Sequence, residues 1–226
     1  YKRLDGLLVG TNPSEGVVKD ASFLHPDLGF RIVFPKGWAV DNSHTAVAAM
    51  APDKKGVAVL GIAGKGEAAD LPKIAAAFAD KLAKQYRTKP SEIVGTTAGG
   101  LPARAVYVTD TSGKEPMHLY FLWIVLKGNV YQMIGIGPES HRPLVKAVAD
   151  SLRPLTDAER ASITEMRLRI VAAKAGEDLG ALSKRAEGAL AVPVLAAMNG
   201  LPEGAKFRGG EWVKVAVKRP HKAPGR

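Results

Sequence analysis

Ala103-Arg104-Ala105-Val106-Tyr107-Val108-Thr109-Asp110, Met117-His118-Leu119-Tyr120-Phe121-Leu122-Trp123-Ile124-Val125-Leu126 and Val130-Tyr131-Gln132-Met133-Ile134-Gly135-Ile136 are three consecutive runs rich in β-branched and aromatic side chains. Such residues suit a pleated, buried surface, so each run reads as a strand. Thr111-Ser112-Gly113-Lys114 separates the first two runs and Lys127-Gly128-Asn129 the last two. Connections this short, containing glycine, join antiparallel neighbours. The three runs therefore form an antiparallel meander, expected at the centre of a sheet.

Working outward, shorter apolar runs at 30–34, 46–50, 57–62 and 93–97 are further strand candidates. Two windows follow a helical period instead. Residues 70–86 open on Asp70 as N-cap with Pro72 in the first turn, and carry Ile74, Phe78, Leu82 and Tyr86 four residues apart. That spacing draws one apolar stripe along a helix. Residues 140–152 place Leu144, Val148 and Leu152 on one side, with Pro143 in the first turn, where a missing N–H costs nothing. The expected class is α+β, an antiparallel sheet covered by two helices.

After Arg153-Pro154-Leu155, the segment Thr156-Asp157-Ala158-Glu159 has the order of a capping box and starts a short helix. A domain boundary belongs there. Beyond it the pattern reads strand, helix, helix, strand at 166–171, 178–185, 192–198 and 212–217, a small β-α-α-β unit. A unit of that size buries little surface and is expected to lean on a neighbour. Residues 1–22, punctuated by Gly6, Gly10, Asn12-Pro13 and Gly16, read as a lead-in segment. Residues 218–226 carry few apolar groups and read as a basic disordered tail. The expected division is thus 1–22, 23–155, 156–217 and 218–226.

Of 226 residues, 46% are hydrophobic and 24% charged, which fits folded protein and excludes a disordered chain. The longest apolar run, 119–126, stops between His118 and Lys127, well short of the roughly 18–20 residues that cross a bilayer. No export signal follows Tyr1, so any such signal is expected upstream. The absence of cysteine removes disulfides, thiolate metal sites and cysteine nucleophiles. A formal charge of +10 favours anionic partners, yet it is spread evenly. Residues 1–156 hold 19 basic and 14 acidic side chains, and residues 157–226 hold 13 and 8. Aromatics make up only 6% and are not interleaved with Lys or Arg, so specific nucleic-acid binding is not expected.

The search for chemistry assigns no catalytic residue and no metal ligand. His25, His44, His118, His141 and His221 have no partner at the spacing of helical zinc sites, and no His-Glu-x-x-His occurs. Gly61-Ile62-Ala63-Gly64-Lys65-Gly66 lacks the Ser or Thr and the spacing of a phosphate loop and reads as a flexible loop. Gly99-Gly100-Leu101-Pro102 reads as a tight connection between strands. An alternative hydrolase site would need His25, Asp27, Ser43 and His44 to assemble in space.

Two stretches resemble known architectures. Tyr1-Lys2-Arg3-Leu4-Asp5-Gly6-Leu7-Leu8-Val9-Gly10-Thr11-Asn12-Pro13-Ser14-Glu15-Gly16-Val17-Val18, followed by Phe23-Leu24-His25-Pro26-Asp27-Leu28-Gly29-Phe30 and Phe34-Pro35-Lys36-Gly37-Trp38, is similar to the segment downstream of the catalytic domain in exported zinc metallopeptidases of the HtpX/BepA class. The resemblance implies a non-catalytic region, with a PsbP-like α/β sandwich over 23–155. Zinc and His-Glu-x-x-His are then expected only in a catalytic domain upstream of Tyr1, and no cofactor in this chain.

Residues 167–217 resemble LysM modules, which share the β-α-α-β order. Gly176-Glu177-Asp178-Leu179 stands where such modules carry Gly-Asp-Thr-Leu. Leu195-Ala196-Ala197-Met198-Asn199-Gly200-Leu201 is similar to the end of their second helix, and Gly209-Gly210-Glu211-Trp212-Val213-Lys214-Val215 to their closing strand. In these modules two loops form a shallow N-acetylglucosamine groove. Carried over, the ligand-binding residues would be Gly176, Glu177, Asp178, Leu179, Asn199, Gly200 and Leu201, within loops 176–179 and 199–202. The expected partners are the chain's own catalytic domain and peptidoglycan or envelope proteins, in the periplasm or another exported location. A purely structural scaffold or lid is the alternative. Turn and helix-cap roles would equally explain Gly176 and Asn199-Gly200.

Overall fold

The computed structural model describes residues 2–86, 90–111 and 113–222. The chain divides into two compact units. Glu15–Leu155 form one, and the residues up to Ser14 together with those from Thr156 onward form the other.

In chain order the strands and helices are β1 (Leu8–Val9), β2 (Val17–Lys19), β3 (Ser22–His25), β4 (Phe30–Val33), β5 (Ala39–Asn42), β6 (Ala46–Met50) and β7 (Val57–Lys65). There follow α1 (Leu71–Tyr86), β8 (Val94–Ala98), β9 (Leu101–Asp110), β10 (Met117–Leu126), β11 (Asn129–Gly137), α2 (Arg142–Asp150) and β12 (Arg153–Pro154). The chain ends with α3 (Asp157–Ala161), β13 (Thr164–Ala172), α4 (Leu179–Arg185), α5 (Val192–Asn199) and β14 (Trp212–Pro220).

The 15–155 unit is built on a seven-stranded antiparallel sheet, order β5-β6-β7-β11-β10-β9-β8. The meander β9-β10-β11 lies inside it, and β10 is paired on both sides from His118 to Ile124. Between β10 and β11 the turn is Lys127-Gly128, both at positive φ (52° and 73°), as a two-residue hairpin turn with right-handed strand twist requires. Asn129, read as part of the turn, is already in the strand and faces Leu126.

Successive residues of β10 point to opposite faces. Tyr120, Leu122 and Ile124 share one core with Phe23, Phe30 and Ile32 of the second, four-stranded sheet (β12-β4-β3-β2) and with Val145, Val148 and Leu152. Phe121 and Trp123 face a separate core under α1, with Leu71, Ala75 and Val106. Phe78 of α1 packs on both rings, at 4.7 Å and 5.0 Å between centroids. Because both faces are covered, β10 reads as a continuous apolar run rather than an alternating one. Each large side chain so buried contributes about 1.5–3 kcal/mol. The class is α+β, with α1 on one face of the sheet and α2 plus the smaller sheet on the other.

Both helices depart in detail from the sequence expectation. Asp70 does not cap α1. It ends a short 3₁₀ turn and accepts from the Glu67 amide (2.8 Å), closing a capping box one turn earlier. The stripe on α1 includes Leu71 and Ala75, both fully buried, beside Ile74, Phe78 and Leu82; the side chain of Tyr86 lies outside the described residues. On α2, Val145, Val148 and Ala149 face the sheet while Leu144 is 38% exposed. The helix sits close to β11 because Gly135 has no side chain: a Cβ there would lie 1.9 Å from Val145 Cγ1.

The remaining unit has a three-stranded sheet, order β1-β13-β14, and the chain order β-α-α-β through α4 and α5. Its core joins Leu179, Leu182, Leu195, Val213 and Val215. Asp178 caps α4 by accepting from the Ala181 amide (2.8 Å), and Gly200 ends α5 in the left-handed conformation (φ 65°). At the start of this unit's second segment, Thr156 and Glu159 form the capping box of α3.

Two expected boundaries are corrected. Residues 1–22 are not a lead-in: Leu8 and Val9 pair with Arg167 and Met166, while Val17–Lys19 pair with β3. The basic tail is not free from residue 218. Lys218, Arg219 and Pro220 continue β14 against Met166, Glu165 and Thr164, because β13 begins two residues earlier than its apolar run. His221 follows with its side chain only 4% exposed; residues 223–226 lie outside the described residues.

Candidate functional site

The loops singled out by the LysM resemblance leave the same end of the β13-β14 ladder, where Ala172 faces Trp212. The first of them is stitched by backbone to residues 206 and 207. Gly176 donates to the Phe207 carbonyl and Phe207 to that of Glu177 (both 2.9 Å), and Asp178 forms a bridge with Lys206. Gly176 is exposed at φ 77° and Gly200 at φ 65°, with nothing within 4 Å of either added Cβ.

Four of the seven predicted contact residues have structural tasks. Leu179 is fully buried in the core and offers no apolar surface to a sugar. Asp178 is occupied as the α4 cap. The Asn199 amide nitrogen donates to the Leu195 and Lys214 carbonyls, and its oxygen accepts from the Lys214 amide, all at 2.9 Å, which pins α5 to β14. Glu177 accepts from Arg185 Nε (2.8 Å) and Nη2 (2.7 Å) and from the Lys174 amide (2.9 Å). Those bonds hold its carboxyl down to about 2, with the Arg185 guanidinium the first cause. Gly176, Gly200, Leu201 and the neighbouring Pro202 are left as surface: Leu201 is half-buried and the other three exposed. Leu179 and Asn199 are occupied for a common reason: one closes a small core and the other a helix end.

The hydrolase set does not assemble. His25 lies at the end of β3 with Nδ1 accepting from the Leu28 amide (3.3 Å), against the rings of Phe23 and Phe30. Its pKa is lowered, burial outweighing the opposing pull of Asp27. Ser43 closes the β5-β6 turn, bonding the Ala46 carbonyl and amide, and His44 stands 84% exposed beside Glu15 (3.5 Å). Among the described residues neither joins His25. Gly61 to Lys65 is also not a flexible loop: it continues β7, pairing with Asn129–Gln132 across a bulge. Gly99-Gly100 is the expected tight connection, both at positive φ between Ala98 and its partner Leu101.

Sequence reasoning missed two polar clusters. Around Tyr107, the Arg142 guanidinium lies over the ring (4.9 Å), the Tyr120 ring packs beside it (4.9 Å), and His118 is held by Thr109 (3.3 Å) and Glu139 (3.2 Å). Burial pushes the Tyr120 phenol far above its ordinary range. The cavity there is about 30 Å3, the size of one water, so it admits no substrate. The second cluster joins Glu165, Arg167 and His221 at the far end of the β13-β14 ladder from the loops. Only the ladder register brings residue 221 to residue 165, so no local motif announces it. Among the described residues no three His, Asp or Glu side chains form a metal-holding group, and no helix is long and apolar enough to cross a membrane.

No protein-family description and no curated protein matches this chain. Among solved structures it is similar to cyanobacterial PsbP (CyanoP) from Synechocystis sp. PCC 6803, at 11% identity and a TM-score of 0.48, over 65% of this chain and 99% of that one. A protein from Bacteroides thetaiotaomicron VPI-5482 is similar at 13% identity and 0.45, over 66% of this chain and 53% of that one. LpqN, involved in cell envelope biogenesis of Mycobacterium tuberculosis, is similar at 16% and 0.40, over 55% and 83%. Similarities of this size assign neither a family nor an activity.

Proposed function

We propose that this chain is a non-catalytic region of an envelope zinc metallopeptidase that positions the protease on the cell wall, with the β-α-α-β unit serving as a LysM-like glycan-binding module. The observation that carries the wall-binding part is the backbone stitching of 176–178 to 206–207, together with the Asn199 bonds to Leu195 and Lys214, which anchor the two loops separately at one end of the β13-β14 ladder. A shallow sugar site needs main-chain hydrogen-bonding groups next to a flat apolar contact. The amides of Gly176 and Gly200 are spent on the Phe207 and Ala197 carbonyls, so on this reading the exposed carbonyls of these glycines meet the sugar, and Leu201 and Pro202 supply the flat contact. The contact set is thereby reduced to those four residues, with Glu177, Asp178, Leu179 and Asn199 as their support. On this reading the zinc is held by the upstream catalytic domain that the resemblance of residues 1–40 implies.

The test is sedimentation of the chain with purified peptidoglycan, together with amide NMR titration by an N-acetylglucosamine tetramer. Retention on the wall, with shifts confined to 176–179 and 199–202, is expected. No retention, or shifts elsewhere, overturns the wall-binding reading. Zinc-dependent proteolysis by this chain alone would overturn the non-catalytic one.

A further inference from the structure

We propose a second ligand site in the same unit, a phosphate-binding cleft at the opposite end of the sheet. A cleft of about 600 Å3 is lined by Asp5, Gly6, Glu165, Arg167, Arg219 and Lys222. That volume lies within the range of small-ligand sites and far exceeds a single ion. Its carboxylates are already engaged from within. Glu165 accepts from Arg167 Nε (2.7 Å) and lies 2.7 Å from His221 Nδ1, and Asp5 accepts from the Ile170 amide (2.8 Å). Arg167 spends a further donor on the Gly6 carbonyl (3.1 Å).

Arg219 and Lys222 differ: among the described residues neither side chain meets a carboxylate. Arg219 is held in place by the ladder opposite Glu165, on the face that Arg167 shares. The lining thus has three cations against two carboxylates, a surplus of one positive charge, and its two cations without a carboxylate contact, Arg219 and Lys222, are exposed. An arginine fork and a separate ammonium suit a tetrahedral group with three acceptor oxygens better than a planar carboxylate, which one fork satisfies alone. A phosphate ester carries about −1.5 to −2 at neutral pH and would be met by both heads. The Glu165–Arg219 pair of the cleft lies seven ladder steps from Ala172–Trp212 at the loop end, on the order of 23 Å at strand rise, so it is not part of the proposed glycan groove.

The experiment titrates the whole chain, followed by amide NMR, with inorganic phosphate, glycerol 3-phosphate and acetate, and separately with vesicles carrying phosphatidic acid. Saturable shifts at Gly6, Arg167 and Leu168 with either soluble phosphate, at least tenfold tighter than acetate, are expected; vesicle binding without soluble binding would assign the phosphate to a lipid headgroup. The double variant Arg219→Gln/Lys222→Gln should lose at least tenfold in affinity, while Lys81→Gln/Lys84→Gln, the same charge change on exposed α1 positions, should not. No saturable shift with any phosphate probe, acetate binding equally well, or equal loss in both double variants would overturn the proposal.

Discussion

Replacing Gly99 by alanine probes the packing of the β8-β9 turn against the end of α2. Gly99 has φ 57°, and a Cβ there would lie 1.6 Å from the Leu152 carbonyl oxygen, a backbone atom that no rotamer change can move. Two costs add. A non-glycine residue in the left-handed region loses about 1–2 kcal/mol. Forcing an extra methyl into a packed site costs about 1–3 kcal/mol more. Gly99→Ala should therefore destabilise the 15–155 unit by about 2–5 kcal/mol, a large share of the roughly 5–15 kcal/mol typical of a domain. Gly100→Ala separates the terms, because Gly100 has φ 77° but nothing within 4 Å of its added Cβ. It should cost only the conformational part, about 1–2 kcal/mol. Urea unfolding followed by tryptophan fluorescence reads both, since Trp38 and Trp123 lie in buried positions of this unit. With a slope of about 2 kcal/mol/M, the Gly99 variant should shift the midpoint by roughly 1–2.5 M. Equal midpoints for the two variants would refute the claimed contact with Leu152.

Leu179→Ala removes a fully buried side chain and should cost about 2–5 kcal/mol in the β-α-α-β unit, read by the emission of Trp212. Arg185→Ala should return the Glu177 carboxyl from about 2 toward the ordinary value near 4.3, measured by carboxyl-carbon NMR titration. Because the folded pKa of Glu177 is depressed, its contribution is present above the unfolded value and is lost as pH falls toward about 2. Glu165, lowered by its bonds to Arg167 and His221, acts in the same sense, so acid should unfold this unit progressively below about pH 4. His25 has a folded pKa below 6.5, so the unfolded chain takes up the proton first and stability falls as pH drops through 6.5. His25→Gln should flatten the dependence of the urea midpoint between pH 7.5 and its lowered pKa.

What the sequence made legible was local. The β10-β11 hairpin is written in two apolar runs and a Lys127-Gly128 turn, and the α4 and α5 ends in Asp178 and Gly200. Strands whose partners are distant or whose residues are polar escaped. Ala39–Asn42 carries Asp41 and Asn42 at an edge, and Leu8–Val9 is two residues long and pairs with residues 166 and 167. The hairpin of Val17–Lys19 and Ser22–His25 turns at Asp20, φ 55°, rather than at a glycine. Gly61 to Lys65 looked like a loop because glycine is a weak strand former, yet pairing with β11 holds it extended. The candidate groove shows the same divide. Its glycines were readable, but the roles of Glu177 and Asn199 depend on Arg185 and Lys214, which stand at no helical spacing from them.

The pairing of Leu8 with Arg167 makes the three-stranded sheet discontinuous in the chain. A ribosome adding about 5–20 residues per second needs roughly 8–30 s to deliver the partner strand after the first has emerged. During that interval the intervening segment has everything its own sheet requires, so nascent-chain assembly should complete the Glu15–Leu155 body before the other begins. Excision of residues 156–222 as a stand-alone fragment would strip one border of β13 of its neighbour and expose hydrogen-bonding groups to intermolecular pairing. Grafting residues 2–14 back through a short glycine-serine linker would be the economical way to handle that fragment in solution.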